Sequence, residues 1–123
     1  MSNREISVEP ATHSPEHITD VMALLIMLHG ECGYAPLDAE LVSKGCLAAI
    51  DEGHVFMARI NDQAVGILAL HETSFWYSSV TCLWGIWFYV LPEFRGLAGL
   101  KLLAAARDRG QALNKLVFVS STN

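Results

Sequence analysis

The clearest chemistry in this chain lies in Phe88-Tyr89-Val90-Leu91-Pro92-Glu93-Phe94-Arg95-Gly96-Leu97-Ala98-Gly99-Leu100-Lys101-Leu102-Leu103. An apolar, aromatic run reaches Pro92, passes a tight turn with one arginine and two glycines, and opens into a leucine-rich helix. The first turn of a helix has backbone N–H groups without intrahelical acceptors, and the helix dipole adds positive potential, so this arrangement is an anion site. Small residues let a pyrophosphate approach the backbone closely. No Gly-Lys-Ser/Thr follows, so the segment is not a nucleotide P-loop. By itself the pattern is equally consistent with a strand–helix turn that uses glycine only for its geometry. Few other residues compete for a chemical role. His29 and Cys32 are three apart, but no second pair has zinc-ligand spacing, so no metal site is expected. Cys46 and Cys82 read as small core residues, and nothing marks a nucleophilic thiol.

The elements that position this segment follow from periodicity. Residues 5–8 fit a short strand. Ser14-Pro15 starts a helix, with Ser as cap and Pro at the first helical position, and Ile18, Val21, Met22, Leu25 and Leu28 follow at helical spacing. Leu24, Ile26 and Met27 predict burial on more than one side, and the helix should stop near Gly30 or Gly33. Asp38 caps a second helix to about Glu52, with Gly53 just past it. Residues 54–60 form a strand, Asn61-Asp62 a turn, 64–70 a strand covered on both faces, and 81–90 a strand rich in aromatic and β-branched residues. A third helix spans about 98–113, with Leu100, Leu103, Ala104 and Arg107 on one stripe. Residues 115–120 form a last strand. The order is β-α-α-β-β-β-α-β: an antiparallel meander over 54–90, then a right-handed parallel crossover over 81–120. The fold class is α/β, a mixed sheet with helices on it.

Composition narrows the function. The 123 residues fit one domain over 1–123, and 52% hydrophobic with 17% charged residues excludes a disordered chain. A net charge of −5, with eight scattered Lys and Arg, argues against nucleic acid. The longest apolar runs, 21–28 and 86–91, are too short to span a membrane. The first ten residues contain no export signal, and three cysteines read as free thiols, so a cytoplasmic location is expected. The high apolar content points to surface covered by a partner.

The segment resembles the signature of the GCN5-related N-acetyltransferase (GNAT) family, Val-x-Pro-x-x-Arg-Gly-x-Gly-x-Gly/Ala before a leucine-rich helix. Val90, Pro92, Arg95 and Gly96 stand in register, and the order of elements also matches. The Trp87-Phe88-Tyr89 run is similar to small bacteriophage-encoded members. The resemblance implies an acetyl-CoA-dependent acyltransferase that transfers acetyl to a primary amine of a small molecule or protein. Amides of Arg95, Gly96, Leu97, Ala98, Gly99 and Leu100 would hold the CoA pyrophosphate. Phe88, Tyr89 and Val90 would supply the strand beside the pantetheine arm, pairing through main-chain groups of Phe88 and Val90. An amide there would stabilise the oxyanion.

The sequence departs from the family pattern at three places. The later loop glycines fall on Ala98 and Leu100. The family's strand glutamate, a general base, falls near Gly85. Measured against the family, the chain is short by a helix and two strands, and Val119 to Asn123 resembles the lead-in to that helix. Glu72 is the candidate substitute base, its other reading being a solvated strand-end carboxylate. Glu31 and His29 line the acceptor side in the resembled fold, their other reading being helix-end solvation. The alternative is a catalytically impaired GNAT-fold phage effector that binds a host protein, for which Trp76 and Tyr77 at a turn are contact candidates. An apolar edge at 115–120 would also allow a homodimer.

Overall fold

The computed structural model describes residues 5–120. Its elements are β1 (Ile6–Pro10), α1 (Pro15–Cys32), α2 (Ala39–Glu52), β2 (Val55–Ile60), β3 (Gln63–Ser74), β4 (Thr81–Val90), α3 (Leu97–Leu113) and β5 (Val117–Phe118), with a single 3-10 turn at Pro92–Phe94. The sheet runs β1-β2-β3-β4-β5, antiparallel up to β4 and parallel between β4 and β5. The five-stranded mixed sheet and three helices match the architecture read from the sequence.

Local chemistry sets the boundaries. The Ser14 hydroxyl accepts from the His17 amide at 3.2 Å, and Pro15 begins α1. The Asp38 carboxylate accepts from the Leu41 amide at 3.1 Å. Gly53 closes α2 at φ 87°, a left-handed value that glycine adopts without strain. Asn61 turns β2 into β3 at φ 56°, as its side chain allows.

The helices cover opposite faces. A Cβ on Gly66 would meet Leu102 of α3, whereas the next residue, Ile67, pairs with Tyr89, whose hydroxyl reaches Glu31 of α1. Neighbouring strand residues point to opposite faces, so α3 covers one side and α1 with α2 the other. The core lies between these layers around Met57, Val65, Ile67, Leu68, Leu70 and Leu83.

Four expectations change. The buried stripe of α3 is Ala98, Leu102, Ala106 and Gly110, while Leu100 and Leu103 face outward. Leucines lie on two faces of this helix, and the side with small residues packs closest to the sheet. On α1 only Val21, Leu24 and Leu25 are buried, and Ile26 and Met27 stay about half exposed, so one side is covered. β3 continues through the polar His71–Ser74, held by pairing with 81–84 rather than by apolar pattern. β5 shrinks from 115–120 to Val117–Phe118. The proposed lead-in at 121–123 lies outside the described residues.

Candidate active site

β4 is paired along its whole length on one side only. Against β3 its register runs from Ser74↔Thr81 to Gly66↔Val90. Ala69 faces Trp87 and Leu70 faces Gly85, so Ile86 is an extra, bulged residue. Against β5 the pairing is limited to Leu83↔Val117 and Trp84↔Phe118. The Leu83 amide donates toward β5, to Leu116 O at 2.8 Å, while the Leu91 amide donates toward β3, to Val65 O at 2.8 Å. Peptide groups alternate sides along a strand, and the bulge shifts their phase by one. Phe88 and Val90 therefore present their peptide groups on the edge that β5 leaves open. Tyr89, counted with them from the sequence, faces the other way: its peptide points toward β3 and its side chain toward α1.

The paired register ends at Trp84, and the chain leaving β5 still passes close to Gly85, where a Cβ would stand 3.3 Å from both Phe118 O and Val119 Cα. Beyond that close approach lies a notch, a cavity of about 220 Å³ lined by Leu28, Cys32, Ile86, Phe88, Val119 and Ser120 among others. A second cavity of about 510 Å³ lies between α1, the loop after it and α2, lined mostly by apolar side chains such as Leu25, Leu41 and Val42. Leu28 and Trp87 line both cavities, so they are adjacent. The His29 Nε2 borders the second cavity and hydrogen-bonds to Ala35 O at 2.6 Å. The Cys32 thiol donates to Leu28 O at 3.3 Å.

The open edge of β4 leads to the start of α3. Gly96 is its N-cap, and no side chain caps it. The first intrahelical bond is from the Leu100 amide to Gly96 O, at 3.2 Å. The amides of Leu97, Ala98 and Gly99 precede that bond, whereas Leu100, expected among the anion donors, has its amide engaged within the helix. The Leu100 side chain is 67% exposed. Ala98 is buried, and a Cβ on Gly99 would only touch Phe88, at 3.7 Å.

Arg95 turns back from this loop. Its Nε donates to Val90 O at 2.9 Å, and its Nη2 donates to both carboxylate oxygens of Glu31, at 2.8 and 3.0 Å. The Tyr89 hydroxyl donates to the same carboxylate at 2.6 Å, and the guanidinium lies 5.6 Å from the Tyr89 ring centroid. The hydrogen bonds from Tyr89 and Arg95 hold the Glu31 carboxyl below the usual carboxylate range. Burial, then the bond to Glu31, pushes the Tyr89 phenol up. Glu31 thus has both carboxylate oxygens hydrogen-bonded at the junction of α1, β4 and the loop.

Glu72 lies elsewhere. It pairs with Leu83, where β4 and β5 are still joined, and its carboxylate is 3.9 Å from Lys115 Nζ. It is four residues past Leu68, the partner of Phe88, or about 13 Å along the strand. It therefore flanks the end of the sheet where β4 and β5 are paired, away from the open edge at Phe88 and Val90.

Residues 22–123 match the acetyltransferase (GNAT) family. The chain belongs to that family. Its fold is shared with a GNAT family acetyltransferase of Staphylococcus aureus, at TM-score 0.70 and 18% identity, covering 100% of this chain and 89% of that one. It is shared with an aminoglycoside acetyltransferase from an uncultured soil metagenomic sample, solved with sisomicin, at TM-score 0.70 and 17% identity, covering 96% and 78%. Arabidopsis thaliana Naa50, solved with the bisubstrate analogue CoA-Ac-MVNAL, gives TM-score 0.67 and 19% identity, covering 96% and 74%. No curated protein matches the chain.

On this GNAT domain the sequence motif is one connected surface: Phe88 and Val90 on the open strand edge, Gly96 to Gly99 at the helix start. Sequence reasoning assigned no role to the walls of the notch, Leu28, Cys32, Val119 and Ser120. They come from α1 and from the segment just after β5, and only folding makes them neighbours. A short polar or small-residue signal at those positions is absent from the sequence apart from Cys32 and Ser120.

Proposed function

We propose that this GNAT domain is an acetyl-CoA-dependent N-acetyltransferase acting on a primary amine. One observation carries the reading: a row of backbone donors without strand or helix acceptors runs from the open edge at Phe88 and Val90 to the amides of Leu97, Ala98 and Gly99. That row fits a ligand with an amide-bearing arm at one end and a diphosphate at the other. When bound, acetyl-CoA supplies an acyl thioester whose C–S bond breaks as the amine nitrogen forms the new amide bond. The strand edge receives the arm as an added strand would be received. The helix amides and dipole hold the diphosphate. An amide on the edge, with Phe88 the nearest to the notch, donates to the carbonyl oxygen as negative charge develops there. The amine approaches past Leu28 and Trp87, so its apolar substituent occupies the cavity between α1 and α2. Glu31 is held ionised by Tyr89 and Arg95, which makes it a weak base, and Glu72 is remote. The amine's proton therefore leaves through water, and the departing thiolate takes up a proton from water to leave as the CoA thiol.

Calorimetry with acetyl-CoA, followed by thiol release with apolar and aminoglycoside amines, tests this. Micromolar cofactor binding and acetylation of the apolar amines are expected. No binding at millimolar acetyl-CoA overturns the enzymatic reading. A second reading, an effector that binds a host protein without transfer, draws on a chain of ring contacts at the far end of the sheet: Trp76–Tyr77–Phe75–Phe118–Trp84, with Trp76 95% exposed. A stoichiometric host complex lost on Trp76→Ser, without any acetyl transfer, would favour it.

A further inference from the structure

We propose that Glu31 and Arg95 form a strut that sets the cofactor loop, and that Arg95 is not a ligand of the diphosphate. The inference rests on the acetyl-CoA reading above. Glu31 is the next-to-last residue of α1, where a carboxylate meets the negative end of the helix dipole. A residue that opposes its local field needs a compensating partner, and Arg95 supplies one from 64 positions away. The pair is not isolated. Both Glu31 oxygens are occupied, one of them also by the buried Tyr89 hydroxyl, while Arg95 Nε closes the loop onto the Val90 carbonyl. The planar fork thus joins three elements: the end of α1, the last residue of β4 and the turn that feeds α3.

The geometry has two consequences. The loop's own cation is spent on a carboxylate, so the anion site at α3 works through backbone amides. The strut also ties that site to the acceptor side, because Leu28, one turn before Glu31, lines both the notch and the apolar cavity. Glu31 and Arg95 act as positioning residues. They place the Leu97–Gly99 amides without touching the substrate.

The opposite arrangement, in which the diphosphate competes with Glu31 for Arg95, predicts the opposite sign. Acetyl-CoA affinity is measured by calorimetry for wild type, Glu31→Gln, Arg95→Gln and the double variant, with KM and kcat alongside. For a strut, each single substitution weakens acetyl-CoA binding about tenfold, the double variant is no worse than either, and kcat at saturation stays within about twofold. Tyr89→Phe retains the ion pair and serves if the charge variants fail to fold; it weakens binding about two- to threefold. Tighter or unchanged binding by Glu31→Gln, additive losses in the double variant, or an unaffected Tyr89→Phe would overturn the strut. A wild type that binds no acetyl-CoA fails the functional reading instead, and the two failures are therefore distinct.

Discussion

A single negative charge at the start of α3 separates ligand binding from folding. Leu97 is the first residue of α3 and is more than half exposed, so Leu97→Glu puts a carboxylate in solvent beside the Leu97, Ala98 and Gly99 amides. For the folded chain this is favourable by about 0.3–1 kcal/mol, because the carboxylate opposes the positive end of the dipole. For a diphosphate held by those amides it is repulsive. Two charges about 7 Å from the new carboxylate, at an effective dielectric of about 40–80, raise the energy by about 1–2 kcal/mol. That is a five- to thirtyfold loss in affinity, by the rule of about 1.4 kcal/mol per decade. Leu113→Glu, at the other end of the helix and about 24 Å away, is the control. It lies beyond the Debye length of about 10 Å at 0.1 M salt, so affinity stays unchanged, while stability falls because the charge meets the negative end. Titration calorimetry with acetyl-CoA at 0.1 M salt, paired with urea denaturation, gives both readings. At 1 M salt the penalty on Leu97→Glu shrinks, since the Debye length is then about 3 Å. If Leu97→Glu binds as wild type does at 0.1 M salt, or if Leu113→Glu loses as much, the ligand's charge does not sit at the start of α3.

Three further outcomes follow from the packing and the charges. Gly110→Ala drives a Cβ into the Val117 side chain and to 2.9 Å from Lys115 O, so it lowers stability by about 1–3 kcal/mol in urea denaturation despite alanine's better helix propensity. Glu72→Gln leaves kcat for amine acetylation within about twofold of wild type, because its row is about 13 Å from Phe88; a large loss would place the base at Glu72 after all. Burial, then the Arg109 charge, lowers the His54 pKa below its ordinary 6.5, and Arg109 Nη1 donates to its Nδ1 at 2.8 Å. Above about pH 6.5 folded and unfolded chains are both neutral at this site, and below it the unfolded chain takes a proton that the folded chain refuses. Stability therefore falls as pH drops from about 6.5 through the folded pKa, and the urea midpoint of His54→Gln loses that part of the slope.

How far these features were readable depends on the distance over which their causes act. Caps and turns act within a few residues, so Ser14, Asp38, Gly53 and Asn61 marked their boundaries correctly. β4 was legible from its aromatic and β-branched run, and so was the glycine-bearing turn after Pro92 that opens α3. The stripe of α3 was not. Leucines at 97, 100, 102, 103 and 113 allow two faces, and which one is buried depends on how closely the sheet approaches. The polar end of β3 and the two-residue β5 were misjudged for a similar reason, because pairing with β4 decides them and side-chain pattern does not.

The motif residues and their order alone determined that a strand runs into a glycine-bearing turn and a helix, and with the elements around it this already implied an acetyltransferase fold. Tertiary structure decided which groups of that motif face the open edge. The Ile86 bulge shifts the peptide phase, so Phe88 and Val90 face the open edge and Tyr89 does not. Only folding brings Glu31 to Arg95 across 64 positions and leaves Glu72 at the closed end of the sheet. Backbone preference is local and is written in neighbouring residues. The meeting of two strands, or of a helix end and a loop, is a property of the whole packed chain.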